Sequence, residues 1–387
     1  MSKSFFLHEP KINNLEKKEV LNCLKSGWIS PGGINVIKFE KELSKFTKSK
    51  IVLTNSGTSS LHLSLILSGV KKDDEVLVPT ITFIASVNVI LYLGASPIFF
   101  DTEENNLNGD IKKILIFLKN ETFKTQKGTF NKKTKKRIKA LIFTHVFGNV
   151  SNLNLLKKEL KKRKIKLIED AAEAVGSFNS KGSHAGTQGD YGILSFNTNK
   201  IITTSAGGAI LLKSNKDYIR AKILISQGKI NSVFFIHNEM GFNYGMTNIN
   251  ASIGLGQLKS LKKIVLKKEK IHKIYSKKFN NSDQISLVSF NKKTKSNFWL
   301  NSILIKNCNY KKLTKIVKEL NKKGIQVRPL WYPCHKQGFL NKYQKYKIKN
   351  AEIFFKKLIC LPSSFFLKEN DINHISSIVK NVVQKEI

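Results

Sequence analysis

Short apolar strands alternate with helices along the first two thirds of the chain, and this alternation most strongly constrains the fold. The predicted strands are residues 51–54, 75–79, 97–101, 139–144, 165–169, 193–196 and 209–212. The predicted helices among them include 13–26, a helix that begins near Ser56, 85–93 and 152–163. A strand, a helix and a further strand in succession favour parallel pairing with helices on both faces. The sequence therefore predicts an α/β fold with a mostly parallel sheet of about seven strands.

The pattern changes after residue 262. A lysine-rich helix is predicted over 263–280, a strand over 298–305, and further helices over 310–323, 348–359 and 370–385. We expect a large domain over residues 1–262 and a smaller C-terminal α+β domain over 263–387, since a chain of 387 residues is long enough for two cores.

Composition excludes several classes of protein. No run of about 18 apolar residues occurs, so no membrane span is expected. The start, Met1–Glu9, lacks the long apolar core of a secretion signal, which favours a cytoplasmic location. The four cysteines are scattered and show no metal-ligand spacing, so we expect reduced thiols and no metal site.

The formal net charge of +40 has two interpretations. It is typical of nucleic-acid binding, or it reflects a chain-wide enrichment in lysine. We favour the second and expect no nucleic-acid partner, because the basic residues are spread over many segments without interleaved aromatic residues. The densest basic run, residues 124–139, is expected to be an exposed loop.

Lys200 and Asp170 form the pair that most strongly indicates a chemistry. Asp170 ends one predicted strand, and Lys200 follows another. A pyridoxal phosphate (PLP) enzyme needs both residue types: a lysine amine that forms a Schiff base with the cofactor aldehyde, and an aspartate that keeps the pyridine nitrogen protonated. In a chain this rich in lysine, a single lysine is more often a solvated surface group, so the hypothesis depends on the pair.

Other residues at strand ends fit a phosphorylated cofactor. The segment Ser56-Gly57-Thr58-Ser59 lies between a strand and a helix, where free N–H groups bind phosphate. Its alternative interpretation is an ordinary helix N-cap. Phe83 follows the next strand, where it would cover a cofactor ring or pack in the core. His145, after the fourth strand, is more often a packed histidine than a catalytic one.

Taken in order, these segments resemble the DegT/DnrJ/StrS family of sugar-nucleotide aminotransferases over essentially the whole chain. The resemblance depends on the Gly57-Thr58 turn, Glu169-Asp170-Ala171-Ala172, the Lys200 segment and Gly241-Phe242-Asn243-Tyr244. It implies the type I PLP-dependent aminotransferase fold. It also implies that Lys200 bonds to the cofactor and moves the proton, and that Asp170 pairs with the pyridine nitrogen.

The same resemblance implies further roles. Phe83 would stack on the cofactor ring, and its phosphate would be held by Gly57, Thr58, Ser59 and Ser195. Asn243 would reach the phosphate in a neighbouring subunit, so a homodimer with shared active sites is expected. Glu173, close in sequence to Asp170, would face the phenolic oxygen of the cofactor.

Within the family, the chain is most similar to the 4-aminotransferases of legionaminic acid and bacillosamine synthesis. The marks are Glu173, Asn197-Thr198-Asn199-Lys200, and Gln326–Trp331 followed by His335. GDP-perosamine synthases share the Glu-Asp-Ala-Ala-Glu form and are the nearest alternative. Substrate contacts are expected from four residues: Trp28, Ser30, Arg328 and His335. The segment around Trp28 also fits a glycine helix cap followed by a core tryptophan.

The implied reaction transfers an amino group from glutamate to C4 of a 4-keto-6-deoxy nucleotide sugar, with UDP-2-acetamido-4-keto-6-deoxyglucose as the favoured acceptor. Two alternatives stay open: a PLP-dependent sugar dehydratase, in which histidine replaces the lysine, and a basic binding or regulatory protein that has lost activity. Two segments depart from the family pattern. Gly245 stands where relatives carry arginine, and Ser205-Ala206 replaces Gly-Glu. Both changes bear on substrate preference.

Overall fold

The computed structural model describes residues 4–387. Residues 1–3, the start of the segment in which no secretion signal is expected, lie outside the described residues. The strands are β1 (Lys50–Thr54), β2 (Glu75–Pro79), β3 (Ser96–Phe100), β4 (Thr122–Thr125), β5 (Gly128–Asn131), β6 (Arg137–Thr144), β7 (Lys166–Asp170), β8 (Tyr191–Ser195), β9 (Gly208–Leu212), β10 (Lys229–Asn231), β11 (Ile236–His237), β12 (Ile285–Leu287), β13 (Asn301–Ile305), β14 (Arg328–Pro329), β15 (Lys345–Tyr346) and β16 (Leu358–Leu361).

The helices lie between and after these strands. They are α1 (Asn14–Lys25), α2 (Ile34–Thr47), α3 (Gly57–Leu67), α4 (Ala85–Tyr92), α5 (Ile111–Asn120), α6 (Asn154–Lys162), α7 (Asn215–Ile225), α8 (Asn248–Phe279), α9 (Tyr310–Lys322), α10 (Asn350–Phe355) and α11 (Glu369–Glu386). Within the described part of the chain, no helix combines the length and the apolar character that crossing a membrane requires.

The large sheet confirms the predicted mostly parallel architecture. Its strand order is β1-β9-β8-β7-β6-β2-β3-β15, and β5 and β4 extend it from β6. The pairs from β8 to β15 along this order are parallel, whereas β9 pairs antiparallel with β1 and β8. Every residue of β2, β8 and β9 is buried, as expected for a sheet covered on both faces. All seven predicted strands belong to this sheet of ten.

A second sheet forms in the C-terminal part. Its strand order is β12-β13-β16-β14, with antiparallel pairs throughout. Helices α9 and α11 and the end of α8 pack against it around a core that includes Ile303, Leu320 and Val379. Phe5 belongs to the same core and pairs with Ile325, which lies between α9 and β14.

Helix α8 corrects one prediction. It begins at Asn248 rather than at residue 263, and Thr247 caps it by accepting a hydrogen bond from the Asn250 N–H. Its 32 residues span about 48 Å and connect the two sheets. The predicted domain division after residue 262 falls inside this helix, and that division stays a prediction.

Three other segments also differ from the predictions. The basic run 124–139, expected as a loop, contributes the hairpin β4–β5 and the start of β6. The strand predicted from residue 298 begins at Asn301, because Phe298 has a positive φ of 49° that breaks an extended segment. The helix predicted over 348–359 ends at Phe355, after which the chain enters β16.

Candidate active site

A cavity of about 310 Å³ lies at the carboxyl ends of β7 and β8, where open α/β sheets bind ligands. Its lining includes seven residues that the sequence predicts: Gly57, Thr58, Phe83, Asp170, Glu173, Ser195 and Lys200. We call Gly57, Thr58, Asp170, Ser195 and Lys200 the cavity floor, since β7, β8, the loop after β8 and the start of α3 supply them. Trp299 and Trp331, which line the same cavity, are called the cavity wall.

The Lys200 amine points at an acid and an aromatic ring. Its Nζ donates to Glu173 Oε1 at 3.2 Å and lies 4.4 Å from the centre of the Trp299 ring. Its backbone N–H donates to Asn197 O at 2.9 Å, which closes a tight turn after β8. The lysine amine is therefore held inside the cavity rather than in solvent.

Glu173 is a buried carboxyl at the back of this cavity. Burial raises its pKa, although the Lys200 charge and the Phe147 N–H oppose that shift. The Phe147 N–H donates to Glu173 Oε2 at 2.9 Å. Phe147 has φ 55°, an uncommon conformation for an aromatic residue, and such strain concentrates at functional sites. A carboxyl with a raised pKa beside an amine can share a proton with it.

Asp170 is buried at the end of β7 and is fixed by two donors. Ser86 Oγ donates to Asp170 Oδ2 at 2.6 Å, and the Ala172 N–H donates to Oδ1 at 3.1 Å. Ser86 Oγ also lies 3.1 Å from Thr82 Oγ1, which lies 2.9 Å from Thr144 Oγ1. Sequence reasoning missed this hydroxyl chain, although Ser86 stands one helical turn after Phe83.

His145 is packed in the interior and does not line the cavity, as is more common for a histidine after a buried strand. Its ring is fully buried, and Nε2 lies 2.8 Å from Glu169 Oε2. Burial alone would raise the pKa of Glu169, but the hydrogen bond and charge of His145 and the N–H groups of Gly189 and Gly186 lower it. His145 and Glu169 are absent from the cavity lining, and their hydrogen bond joins the residue after β6 to β7.

The start of α3 confirms the helix N-cap and lies at the cavity, while its binding of phosphate stays a prediction. Ser56 is the N-cap and accepts from the Ser59 N–H at 3.0 Å, while Gly57 and Thr58 line the cavity. A Cβ added at Gly57 would lie 2.9 Å from the Ser195 Cβ, so only glycine permits this close approach. Ser59 Oγ donates to Asn55 Oδ1 at 2.6 Å, just behind the lining.

These residues fit PLP. The cavity presents an amine for the aldehyde, a buried carboxylate for the ring nitrogen, and a helix start with hydroxyl groups for the phosphate. Phe83 lines the cavity with an exposed ring, a position suited to covering the cofactor.

Six predicted site residues are not brought into this cavity: Trp28, Ser30, Ser59, Asn243, Arg328 and His335. Trp28, Ser30, Asn243 and Arg328 are exposed. His335 is buried, with Nδ1 2.6 Å from Thr80 Oγ1 and Nε2 3.2 Å from Glu352 Oε1. The substrate-binding roles of four of these residues, and the role of Asn243 towards a neighbouring subunit, stay predictions.

Sequence reasoning also missed the cavity wall. Trp299 was predicted as part of a strand, and Trp331 was noted only as a subfamily mark. No periodic signal reveals such contacts, because Trp299 meets Asn199 across 100 residues of sequence. Of the two departures from the family pattern, Ala206 lines the cavity, whereas Gly245 pairs with Thr54 outside it.

A covered, mostly parallel sheet with a lysine and an aspartate at its carboxyl edge defines a PLP-dependent transferase of fold type I. The model of the DegT/DnrJ/EryC1/StrS aminotransferase family matches residues 10–380, and the chain belongs to this family. It is a PLP-dependent sugar aminotransferase.

Characterised relatives agree with this class. GDP-perosamine synthase of Escherichia coli O157:H7 is 35% identical over 95% of this chain and 96% of its own. UDP-4-amino-4,6-dideoxy-N-acetyl-beta-L-altrosamine transaminase of Campylobacter jejuni is 30% identical over 92% of each chain. Among solved structures, the PLP form of Spr1654 of Streptococcus pneumoniae matches with a TM-score of 0.89 and 25% identity. The match covers 100% of both chains, and that protein is assigned as a sugar aminotransferase.

Proposed function

We propose that this enzyme transfers the amino group of glutamate to C4 of a 4-keto-6-deoxy nucleotide sugar, in the cytoplasm, for the synthesis of a surface glycan. The favoured acceptor is UDP-2-acetamido-4-keto-6-deoxyglucose, on the marks Glu173, Asn197–Lys200 and Gln326–Trp331. The observation that supports the transfer chemistry best is the placement of Lys200, Glu173 and Asp170 in one cavity.

Each of these side chains has a physical task. PLP, when bound, supplies an aldehyde that bonds to amines and a protonated ring that accepts electrons. Asp170 holds the ring proton, and Ser86 fixes the carboxylate that does so. Lys200 Nζ carries the proton that moves during transfer, a contribution on the order of 10²- to 10⁴-fold in rate. Glu173 keeps that amine directed into the cavity through the 3.2 Å hydrogen bond.

A second acceptor is supported by a specific observation. The 35% identity to a GDP-perosamine synthase exceeds the 30% identity to a UDP-sugar transaminase. A GDP-linked 4-keto-6-deoxymannose is therefore the second candidate.

A panel of keto-sugar nucleotides, incubated with the enzyme, PLP and glutamate and read by product mass, tests the choice. We expect the UDP-2-acetamido sugar to gain the amine at C4. Amination of the GDP sugar alone would replace the first candidate by the second, and amination of neither would reject both. A product that loses a hydroxyl instead of gaining nitrogen would support the dehydratase alternative.

We further propose a homodimer with shared active sites. Asn243 lines a different cavity, together with Pro31, Glu40 and Lys222, and so does not reach this chain's Lys200. The nearby hairpin β10–β11 exposes apolar side chains, including Val233, Phe234 and Phe235 at 75%, 74% and 69%. Exposed apolar clusters of this kind are typical of protein interfaces.

Complementation between two inactive variants tests the shared site. Mixing refolded Lys200→Ala and Asn243→Ala chains would restore activity in the mixed dimer, since one of its two sites would carry both native residues. Activity equal to the sum of the separate variants would contradict sharing, and a monomeric mass in solution would contradict the dimer itself.

A further inference from the structure

The cavity wall contacts the catalytic lysine directly. The Lys200 Nζ lies 4.4 Å from the centre of the Trp299 ring, within the range at which an ammonium group is attracted to the face of an indole. The ring is almost fully buried and the lysine side chain is only 12% exposed, so water screens this contact weakly. The Trp299 ring and the Glu173 carboxyl thus both stabilise the charged amine.

Trp299 also fixes the backbone next to the lysine. Its indole Nε1–H donates to Asn199 O at 2.7 Å, and Asn199 directly precedes Lys200. The loop after β8 contains exposed residues, such as Asn197 and Asn199, that have few packing restraints of their own. A hydrogen bond from a buried ring therefore restricts where the Lys200 side chain begins.

Hydrogen bonds fix both the backbone N–H and the backbone carbonyl of Trp299. Its N–H donates to Asn297 Oδ1 at 3.0 Å, and its carbonyl accepts from Lys268 Nζ at 3.1 Å. Burial lowers the pKa of Lys268 well below its ordinary value. The same Lys268 Nζ also donates to Ser363 O, so one buried side chain joins Trp299 to the segment after β16.

From these contacts we infer that Trp299 is a positioning residue for Lys200, holding the charged amine beside Glu173 through its ring face and fixing the lysine loop through its indole N–H. The inference goes beyond the proposed substrate and rests only on the assignment of Lys200. It gives a residue of the C-terminal part of the chain a role in the active site at the edge of the large sheet.

The charged groups around Lys200 determine the expected pH behaviour. Glu173 is in contact with it, and Asp170 lines the same cavity. His8, from the chain start, faces Trp299 at a ring distance of 6.5 Å, and burial and the charges of Lys268 and Lys200 lower its pKa. His8 is therefore neutral near pH 7 and leaves the ring and the two acids as the groups that stabilise the ammonium form.

Site-specific acetylation of Lys200, quantified by peptide mass mapping, tests the inference. The full-length enzyme is loaded with pyridoxamine phosphate, so that Lys200 is a free amine, and only the unprotonated amine reacts. At neutral pH we expect Lys200 in Trp299→Leu to react about two- to thirty-fold faster than in the wild type. At a pH well above the ordinary lysine pKa of about 10.4, the two rates should agree. Trp299→Phe, which keeps a ring face, should give an intermediate rate at neutral pH.

The pH comparison separates the inference from simple exposure of the lysine. If Trp299→Leu accelerated acetylation equally at both pH values, only access would have changed and the inference would be overturned, as it would if no rate changed. Lys11, whose Nζ lies 3.9 Å from the Phe365 ring centre, is the reference within the same sample and should not respond. The assay needs no sugar nucleotide. Repeating it on cofactor-free chain keeps it decisive even if PLP binding, and with it the proposed function, failed.

Discussion

The cavity floor and the cavity wall are built in different ways. The floor residues Asp170 and Ser195 are the last residues of β7 and β8, adjacent strands whose parallel register places their ends together. The wall residue Trp299 reaches the floor through its side chain, which contacts Lys200 and bonds to Asn199 O across 100 residues of sequence. Floor geometry thus follows from strand order, whereas wall geometry depends on a few buried hydrogen bonds. On the function proposed above, the floor supplies the chemistry and the wall orients it.

The largest expected effect tests the floor. Asp170→Asn keeps the side-chain size and the Ser86 contact but removes the charge that we propose holds the ring proton of PLP. We expect the rate of the half-reaction with glutamate, followed by the loss of the visible absorbance of bound PLP, to fall on the order of 10²- to 10⁴-fold. Asp73→Asn, an exposed residue paired with Lys136 at 3.0 Å, is the control and should keep its rate. An unchanged rate in Asp170→Asn would contradict the assignment of the floor.

The second-largest effect tests the hydrogen bonds through which Asn297 holds Trp299 in place. Asn297 is fully buried, and its amide donates to Glu173 O and Val175 O at 2.8 and 2.9 Å while accepting from the Trp299 N–H. Asn297→Ala leaves these groups unpaired, and we expect the free energy of unfolding to fall by about 4 kcal/mol. Urea unfolding measures this change in the free energy of unfolding, and Asn280→Ala, at an exposed position, is the control. A change of less than about 1 kcal/mol would show that the wall does not depend on this residue.

The pH dependence of the free energy of unfolding compares His184, a buried histidine beside the floor, with His272, a half-buried histidine near the wall. His184 lies beside the floor strand β7, and burial lowers its pKa to about 4. The unfolded chain binds a proton at this histidine near pH 6.5 but the folded chain does not, so stability is lost as pH falls from about 6.5 to about 4. The contribution is about 3 kcal/mol.

Chemical unfolding between pH 7 and pH 4 checks this prediction in His184→Gln, which should show a flatter dependence than the wild type. His272→Gln, near the wall, is the comparison. Burial lowers the pKa of His272, but its Nδ1–H donates to Asn301 Oδ1 and this bond opposes that shift, so a smaller flattening is expected. Equal slopes in the wild type and His184→Gln would reject the neutral buried histidine.

The smallest effect concerns Ser86, which orients one floor residue. Ser86→Ala removes the 2.6 Å donor to Asp170 Oδ2, and we expect a roughly tenfold slower half-reaction with glutamate. Ser68→Ala, in which a buried hydroxyl bonded to Ser64 O is lost away from the cavity, is the matched control. A loss as large as that of Asp170→Asn would indicate that Ser86 does more than orient the carboxylate.

Much of the floor was predictable from sequence. Apolar strands followed by helices predict the sheet, and polar residues at strand ends predict a common edge. The start of α8 was missed because its buried face carries Asn248, Ser252, Gly254 and Gly256, which give no apolar periodicity. The hairpin β4–β5 was missed because lysines mask its strand pattern.

The wall was not predictable for a different reason. Trp299 follows a backbone turn at Phe298, whose positive φ no sequence rule indicates, and its partners lie far away along the chain. Contacts of this kind are specified by tertiary packing, whereas strand ends are specified locally. Gly245, which departs from the family pattern, likewise lies outside the cavity. Its position relative to the cavity depends on tertiary packing, so the spacing of motifs along the sequence did not indicate it.

The most direct test of the central claim is the position of the covalent bond between enzyme and PLP. Borohydride reduction of the holoenzyme, followed by proteolysis and mass mapping, fixes the cofactor to whichever amine holds it. The structure predicts a single labelled residue, Lys200, with Glu173 and Asp170 in the same cavity. A label on any other lysine, or no label after reduction, would contradict the account.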